Sequence, residues 1–324
     1  NAPCVLTRGE GAYVWDVDGN RYVDWGMGLC SVVLGHAYGP VLDAVRRQLA
    51  LGANFCRPCN LELEFAELMA DLIDSAEMVK FGKNGSDVTA GAVRLARAHT
   101  GRDRIAICRQ HPFFSFHDWF IGSTSANAGI PAFERELSLL FDYNDLGSLE
   151  SLFKRHPGEI AAVILEPVAV EEPRDGFLQA VIDRAHREGA LVILDEMITG
   201  FRWHLKGAQH LYGVRPDLCT FGKAIANGFS VSVVAGRRDV MELGGIHHGK
   251  PKVFLLSATH GAEAHALAAA IAAVGEMKVR DVVGHLWRVG GEVQAGIKSA
   301  AAELGIADFV DMIGFPCRPG LVTR

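Results

Sequence analysis

Lys223 has the residue type and the surroundings of a nucleophilic amine. Its neighbours are small or weakly polar, in the stretch Phe221-Gly222-Lys223-Ala224-Ile225-Ala226-Asn227-Gly228. Such surroundings favour a neutral amine over an ammonium ion, and a neutral lysine can attack a carbonyl carbon to form a Schiff base. Most lysines are solvated surface charges, so Lys223 needs a second residue beside it before it indicates catalysis.

Asp195 supplies that second residue. It ends an apolar run, Ala190-Leu191-Val192-Ile193-Leu194, and is followed by Glu196. A strand buried on both faces of a parallel sheet delivers such a side chain into the crevice at the carboxyl edge. A buried carboxylate needs a partner, which could be a pyridinium nitrogen, a neighbouring helix end, or Arg202. A Schiff-base lysine and a carboxylate for a pyridinium are two requirements of pyridoxal phosphate chemistry.

The composition indicates a globular enzyme that acts on small molecules. The chain has 324 residues, 49% of them hydrophobic, and a formal net charge of -6. That balance argues against a nucleic-acid partner, and no apolar segment reaches the length that spans a membrane. Seven scattered cysteines favour a reducing cytoplasm over a disulfide scaffold, and the Cys56 and Cys59 pair lacks further ligands for a metal. We therefore expect a cytoplasmic protein without a metal.

The hydrophobic pattern predicts an α/β protein. Residues 9–25 predict a β-hairpin, and helices are expected at about 40–50 and 61–74. From about 78 to 240, apolar runs alternate with amphipathic helices, which indicates a mainly parallel sheet with helices on both faces. The chain then becomes helical around 264–274 and 283–303, and we expect an irregular segment at 314–320.

Two further segments could bind parts of a cofactor. Gly85 and Ser86 precede a predicted helix over 88–97, and backbone N–H groups at a helix N-terminus stabilise a phosphate. An ordinary Ser or Asp helix cap is the alternative. The aromatic run that starts at His111 follows a predicted strand at 105–108, so Phe113 could offer a face to a flat ring or could be core packing.

The order of these segments resembles the class III, fold type I, pyridoxal-phosphate aminotransferases, in particular the glutamate-1-semialdehyde 2,1-aminomutase branch. The likeness extends from Gly9 to about Val274. Its motifs are Trp15-to-Asp24, Leu34-Gly35-His36-Ala37, Asn84-Gly85-Ser86, Arg94-Leu95-Ala96-Arg97, Thr100-Gly101-Arg102, Tyr143-Asn144-Asp145, Ile164-Leu165-Glu166-Pro167, Asp195-Glu196, Gly200-Phe201-Arg202, Pro216-Asp217 and Phe221-Gly222-Lys223.

The resemblance implies a role for each site residue. Lys223 would be the lysine of the internal aldimine, and Asp195 would pair with the pyridinium nitrogen. Gly85 and Ser86 would bind the phosphate, and Phe113 would stack on the ring. Thr259 would reach the phosphate of a partner subunit, so the protein would be a homodimer with shared active sites.

The resemblance also implies a domain organisation. A large cofactor-binding domain would cover residues 51–262, with a central parallel sheet flanked by helices. A smaller α+β domain would combine residues 1–50 with residues 263–324. We expect its C-terminal part to be incomplete, because the family's small domain is longer.

The favoured activity is transfer of an amino group between an amine donor and a carbonyl acceptor through Lys223. An intramolecular aminomutase or a decarboxylase on the same fold remains open, and so does a non-catalytic dimer that only binds the cofactor. Phe113-Phe114-Ser115 stands where the family typically has Tyr-His-Gly, and His260-Gly261-Ala262 replaces Phe-Gly-Gly. These departures leave the substrate open. Arg202 could bind a substrate carboxylate or form a salt bridge with a neighbouring acid.

Overall fold

A computed structural model describes residues 5–253 and 256–324. The strands are β1 (Leu6–Glu10), β2 (Tyr13–Asp16), β3 (Arg21–Val23), β4 (Met78–Gly82), β5 (Arg104–Cys108), β6 (Ser138–Phe141), β7 (Ile160–Leu165), β8 (Leu191–Asp195), β9 (Leu218–Phe221), β10 (Ser232–Gly236), β11 (Val310–Phe315) and β12 (Arg318–Thr323).

The helices account for a little less than half of the remaining described residues. They are α1 (Met27–Cys30), α2 (Gly39–Leu51), α3 (Asn60–Leu72), α4 (Gly85–Thr100), α5 (Asp118–Ile121), α6 (Ala132–Glu136), α7 (Leu146–Arg155), α8 (Phe177–Arg187), α9 (Ala208–Leu211), α10 (Arg238–Met241), α11 (Ala264–Val279) and α12 (Val282–Glu303), with 3-10 turns at Lys223–Ala226 and Glu242–Gly244. Within the described ranges, no helix is long and apolar enough to cross a membrane.

The central sheet has seven strands in the order β4-β10-β9-β8-β7-β5-β6. Strands β9, β8, β7, β5 and β6 pair in parallel, whereas β10 runs antiparallel to both β9 and β4. The side chains of β7 and β8 are buried throughout, because helices cover both faces of the sheet. The predicted α/β class with a mainly parallel sheet is confirmed.

The helices divide the core into layers. Helix α4 packs on one face of the sheet, where Val88, Val93 and Leu95 join Ile105 and Ile193. Helices α7 and α8 cover the other face with apolar residues spaced for a helix. A third cluster joins α2, α3 and α11 to the turn that begins at Lys223.

Two small antiparallel sheets lie outside the central one. Strands β2 and β3 form the predicted hairpin, and β1 adds a third strand beside β2. The expectation of an irregular segment at 314–320 is wrong, since β11 and β12 pair over this region. Pro319 lies opposite Gly314 on a strand that has only one neighbour, where a missing N–H is tolerated. Met312 and Phe315 are the two buried residues of β11.

Candidate active site

A cavity of about 250 Å³ opens at the carboxyl ends of β8 and β9. Five of the predicted site residues line it together: Gly85, Ser86, Phe113, Asp195 and Lys223. Its remaining walls come from four residues that the sequence did not single out for a role: Asn84, Phe114, Met197 and Ser232. The sheet topology explains the convergence, because parallel strands bring the residues that end them to one edge.

Asp195 is the last residue of β8 and is 2% exposed. Its Oδ1 accepts hydrogen bonds from the Met197 N–H at 2.9 Å and from the Thr220 hydroxyl at 3.1 Å. Among the described residues, Oδ2 has no hydrogen-bond partner. Burial raises the pKa of this carboxyl to about 6, and the Met197 N–H, the charge of Lys223 and the Thr220 hydroxyl oppose the rise. A cationic partner would offset the cost of burying the carboxylate.

Glu196 has a different role from its neighbour. Its carboxylate accepts the N–H groups of Ala208 and Gln209 at 2.8 Å each, together with the Thr199 hydroxyl. It therefore anchors the start of α9 beneath the sheet edge. The alternative that the acidic pair caps a following segment thus applies to Glu196, while Asp195 lines the cavity.

Lys223 begins a short turn in the left-handed region, with φ +47°. A non-glycine residue rarely adopts this conformation, and such strain concentrates at functional sites. Ala224 and Ile225 are buried beside it. Asn227 ends the turn, and its Oδ1 accepts the N–H groups of Val33 and Leu34 at 2.9 and 2.8 Å. The lysine therefore projects from a turn that the N-terminal part of the chain fixes in place.

Gly85 and Ser86 form the first turn of α4. The helix is capped by Asn84, whose side chain accepts the Asp87 N–H at 3.1 Å. Asp87 completes a capping box, because its Oδ2 accepts the Asn84 N–H at 3.4 Å, so the Asp cap expected as the alternative is present in this turn. The N–H groups of Gly85 and Ser86 lie in the first turn, where they have no acceptor within the helix. They are at the positive end of the helix dipole, which favours an anion. A Cβ on Gly85 would lie 3.1 Å from the Met197 sulfur, so this wall admits no larger residue without a shift.

Phe113 lines the cavity and is 53% exposed. It meets Phe120 edge to face at 5.8 Å between ring centroids. Its neighbour Phe114 is buried, and the Thr89 hydroxyl donates to the Phe114 carbonyl at 2.8 Å. The core-packing alternative thus describes Phe114, while Phe113 keeps an accessible ring.

These features fit pyridoxal phosphate. The buried residue Asp195 offers an oxygen that has no hydrogen-bond partner among the described residues, which suits a protonated ring nitrogen. The first turn of α4 offers N–H groups for a phosphate, and Lys223 lines the same cavity. A pyridine ring with a phosphate at one edge needs these groups around one cavity.

Comparison with known proteins agrees with this geometry. The model of the family described as "Aminotransferase class-III" matches residues 1–309. The chain belongs to the class III aminotransferases. A curated relative named glutamate-1-semialdehyde 2,1-aminomutase from Roseiflexus castenholzii is 39% identical over 322 residues, which are 94% of this chain and 72% of the relative. One of the same name from Sulfurihydrogenibium azorense is 39% identical over 253 residues, but only 59% of its length is covered.

Solved structures show the same fold. An ω-transaminase from Sphaerobacter thermophilus superposes with a TM-score of 0.88 at 28% identity, covering 96% of this chain and 74% of that one. The internal aldimine form of the FumI protein from Sphingopyxis sp. MTA144 gives a TM-score of 0.88 at 28% identity, covering 98% and 75%. This class III family member is therefore a fold type I enzyme, and its cofactor is pyridoxal 5'-phosphate, which confirms the sequence-based predictions of fold and cofactor.

Glu166 is a buried acid of this family member to which the sequence motif gave no role. It is 4% exposed, and its Oε2 has no hydrogen-bond partner among the described residues. Burial raises its pKa to about 8, and the negative charge of Asp195 adds to the rise, while Arg318 and Lys223 oppose it. Glu166 is part of the Ile164-Leu165-Glu166-Pro167 motif, which the sequence analysis identified. Only the structure shows that this acid lies close enough to Asp195 for the two charges to interact.

Arg202 lies behind the sheet edge and is 7% exposed. Its Nη2 donates to the Cys30 carbonyl at 2.7 Å, and its Nε has no partner among the described residues. Within the same residues no carboxylate lies within 4 Å of it, so the salt bridge expected as one alternative is not found. Burial lowers the pKa of this guanidinium.

Thr259 lies outside the Lys223 cavity of its own chain. Its side chain is exposed, and its carbonyl accepts a hydrogen bond from the Asn54 side chain at 2.7 Å. The segment is held close to the first turn of α4, because Lys83 pairs with Glu263 and the Ser257 hydroxyl accepts the Lys83 N–H at 2.9 Å.

Proposed function

We propose that this protein is an aminotransferase that moves an amino group from an amine donor to a carbonyl acceptor. The observation that carries the proposal is the shared cavity of Lys223 and Asp195, with Gly85 and Ser86 at its other end. Pyridoxal phosphate supplies an electron sink that stabilises negative charge on the carbon bearing the amine. The remaining chemistry belongs to side chains of this chain.

Lys223 would act first as an attachment point and then as a base. Its Nζ would hold the cofactor covalently in the resting enzyme. Once free, the same amine would take the proton from the donor carbon that bears the amino group. The strained turn at Lys223 and the buried residues that follow it would restrict the lysine backbone at the cavity wall.

Asp195 would hold a proton on the pyridine nitrogen. Its Oδ1 is fixed by Thr220 and by the Met197 N–H, so Oδ2 is the oxygen available to the ring. The charge of the protonated nitrogen would also offset the burial of the carboxylate. Gly85 and Ser86 would orient the phosphate, and Phe113 would limit motion of the ring plane.

An intramolecular aminomutase is the second candidate, because the curated relatives at 39% identity carry that name. Such an enzyme would move the amino group between carbons 2 and 1 of one substrate and would need to retain that substrate between the two halves of the reaction. We propose the segment 121–134 as the lid for this case. It connects α5 to α6 and has no strand or helix over residues 122–131.

We propose a homodimer in which Thr259 reaches the phosphate of the second subunit. Two observations support this: the Thr259 side chain is exposed, and Asn54 and the pair of Lys83 with Glu263 hold its segment. We also propose that each subunit has a large domain over residues 51–262 and a smaller domain formed by residues 1–50 and 263–324. The cytoplasm is the compartment that we propose, since the six cysteines the structure describes are free thiols.

Absorption spectroscopy of the purified protein tests the proposal. We expect a band at roughly 410 to 430 nm with pyridoxal phosphate, its loss in Lys223→Ala, and its retention in the control Lys154→Ala, an exposed lysine on α7. One amine donor should convert the band to one near roughly 330 nm, and an oxo acid should restore it. A band that does not depend on Lys223 would contradict the proposal. Rearrangement of glutamate 1-semialdehyde without an added donor would identify the aminomutase instead.

A further inference from the structure

Glu166 and Asp195 are neighbours at the carboxyl edge of the central sheet. Strands β7 and β8 run parallel, and Leu165 is the register partner of Leu194. Glu166 and Asp195 are the next residues along the two segments. Adjacent strands lie about 4.8 Å apart, so the register brings two carboxyl groups to one point of the edge. Glu166 is 4% exposed and Asp195 is 2% exposed, so water solvates neither group well.

The backbone at Glu166 is fixed from two directions. The Glu166 N–H donates to Nδ1 of His111 at 3.0 Å, and the Tyr143 hydroxyl donates to the Pro167 carbonyl at 2.6 Å. Burial lowers the pKa of His111 to about 3, so the imidazole stays neutral and Nδ1 remains an acceptor. The carboxyl group has no such support, because Oε2 is buried without a hydrogen-bond partner among the described residues. The fold therefore holds Glu166 beside Asp195 but does not solvate its charge.

The charged and titratable groups that act on this pair of acids come from several elements. They are Lys223 after β9, Arg318 on β12, Cys108 at the end of β5, His111 after β5, Tyr143 after β6 and Glu196 after β8. Burial and the charge of Asp195 favour the protonated form of Glu166, and the two cations oppose them. Burial raises the pKa of Cys108 to about 12 and also raises that of Tyr143, so both groups stay neutral from pH 6 to 9.

The two acids differ in how well their charge is stabilised. Asp195 accepts two hydrogen bonds at Oδ1, whereas Oε2 of Glu166 accepts none from the described residues. Two buried carboxylates at this separation do not both ionise readily, because each charge repels the other where little water screens it. In the cofactor-free protein the pair therefore keeps one proton, and Glu166 is the acid that carries it.

Glu166 is not among the residues that line the Lys223 cavity, and it is buried before any ligand enters. Cofactor binding consequently changes the charge that Glu166 meets but not its hydration. On the basis of the role proposed for Asp195, we propose that Glu166 is a positioning residue whose proton affinity falls when a protonated ring nitrogen pairs with Asp195. The proton leaves the Glu166 carboxyl for water, and the second carboxylate then adds its charge to that of Asp195. Cofactor affinity therefore contains a contribution that grows as Glu166 ionises.

Titration of the cofactor-free protein with pyridoxine 5'-phosphate tests this inference. The probe keeps the ring nitrogen and the phosphate but has no aldehyde, so it forms no Schiff base with Lys223. Affinity is measured from pH 6 to 9 for the wild type and for Glu166→Gln, and the ratio of the two cancels the titration of the probe and of the other groups. We expect the wild-type advantage to grow about three- to tenfold over this range, as a fall of about half to one pH unit in the pKa of Glu166 requires. The control Glu67→Gln, at an exposed acid on α3, should give a constant ratio.

Infrared difference spectroscopy supplies a readout that a purely structural role would not move. The cofactor-free wild type at pH 7 should show the band of a protonated carboxylic acid that Glu166→Gln lacks, and the probe should weaken this band at pH 8. An affinity ratio that stays constant with pH, a missing acid band, or a probe that binds at no pH would overturn the inference. Bleaching of the aldimine band by a donor tests transamination separately, so failure of the proposed transamination and failure of this inference give different results.

Discussion

The Thr220 hydroxyl donates a hydrogen bond of 3.1 Å to Oδ1 of Asp195, from the neighbouring strand of the central sheet. Both side chains are buried, and the two residues are register partners on β9 and β8. The carboxylate is therefore oriented by the sheet itself, and its position does not depend on a mobile loop.

Thr220→Val should shift the pH dependence of cofactor binding. Burial raises the pKa of Asp195 to about 6, and the Thr220 hydroxyl opposes that rise, so its removal raises the pKa further. In the proposed role, ionised Asp195 would hold the protonated ring, so cofactor affinity should fall on acidification, and the fall should begin at higher pH in the variant, by up to about one pH unit. Titration of the cofactor-free protein from pH 5 to 8 measures this. Thr323→Val, at an exposed position, serves as the control, and an unshifted profile in Thr220→Val would contradict the prediction.

Asp195→Asn and Glu196→Gln should separate the two acids of one pair. The amide at 195 cannot keep the ring nitrogen protonated, so the half-reaction with a donor should slow about 10²- to 10³-fold while the fold persists. Glu196→Gln removes the charged acceptor of the Ala208 and Gln209 N–H groups. This variant should instead lower the free energy of unfolding by about 1–3 kcal/mol. Stopped-flow spectroscopy and urea unfolding distinguish the two. The same pattern in both variants would refute the division of roles.

Glu166→Gln should stabilise the cofactor-free protein in a pH-dependent way. The pKa of Glu166 is raised to about 8 in the folded state from 4.5, so the folded protein keeps a proton that the unfolded chain releases. Wild-type stability therefore falls as pH rises from about 4.5 to 8, and the variant escapes this part of the loss. We expect its advantage to grow to a few kcal/mol, roughly, at pH 8. Urea unfolding at pH 5, 6, 7 and 8 tests this.

The matched control for that series is Glu67→Gln, which changes an exposed acid on α3. Its free energy of unfolding should differ from the wild type by a constant amount across the pH range. A flat difference for Glu166→Gln as well would show that the buried carboxyl titrates normally.

Gly222→Ala should weaken cofactor binding. The added Cβ would lie 2.7 Å from the Met197 sulfur and 2.9 Å from the Ser232 hydroxyl, so both cavity walls must move. We expect an affinity for pyridoxal phosphate at least tenfold lower, measured by titration of the cofactor-free protein. The control is Gly296→Ala, in the middle of α12 where a Cβ meets nothing within 4 Å, which should raise stability by about 0.5–1 kcal/mol and leave affinity unchanged. Unaltered affinity in Gly222→Ala would show that the walls yield freely.

The sequence predicted the centre of the fold and much of the candidate site. The runs at 105–108, 160–165 and 191–194 are apolar enough to indicate buried strands, and β5, β7 and β8 lie there. The position of Asp195 followed from its place after a buried strand. Its pairing with Lys223 was predicted from pyridoxal phosphate chemistry and from the family resemblance, since no strand was predicted directly before Lys223. Met197 and Ser232 also line the cavity, but the sequence did not predict this, because neither type of side chain indicates chemistry by itself.

The missed features depend on tertiary contacts. Gly314, Pro316, Pro319 and Gly320 are typical of a loop, yet packing of Met312 and Phe315 overrides this local preference and forms a hairpin. Strand β10 runs antiparallel to β9, and a short apolar run in the sequence does not show the direction of a strand. Arg202 left two alternatives open, because the sequence cannot show which carboxylates come near it.

The walls of the Lys223 cavity come from positions 84 to 232, so no short stretch of chain can hold the cofactor. The Ser230 hydroxyl that bonds the Lys83 carbonyl joins residues 147 apart in sequence. Contacts of such separation form slowly, and a growing or half-folded chain lacks the site. The cofactor consequently binds only the folded protein. Its binding raises the free energy of unfolding by about 2.7 kcal/mol when the cofactor concentration is a hundred times Kd. Cofactor supply in the cell would then govern how much of this protein survives proteolysis as well as how fast it works.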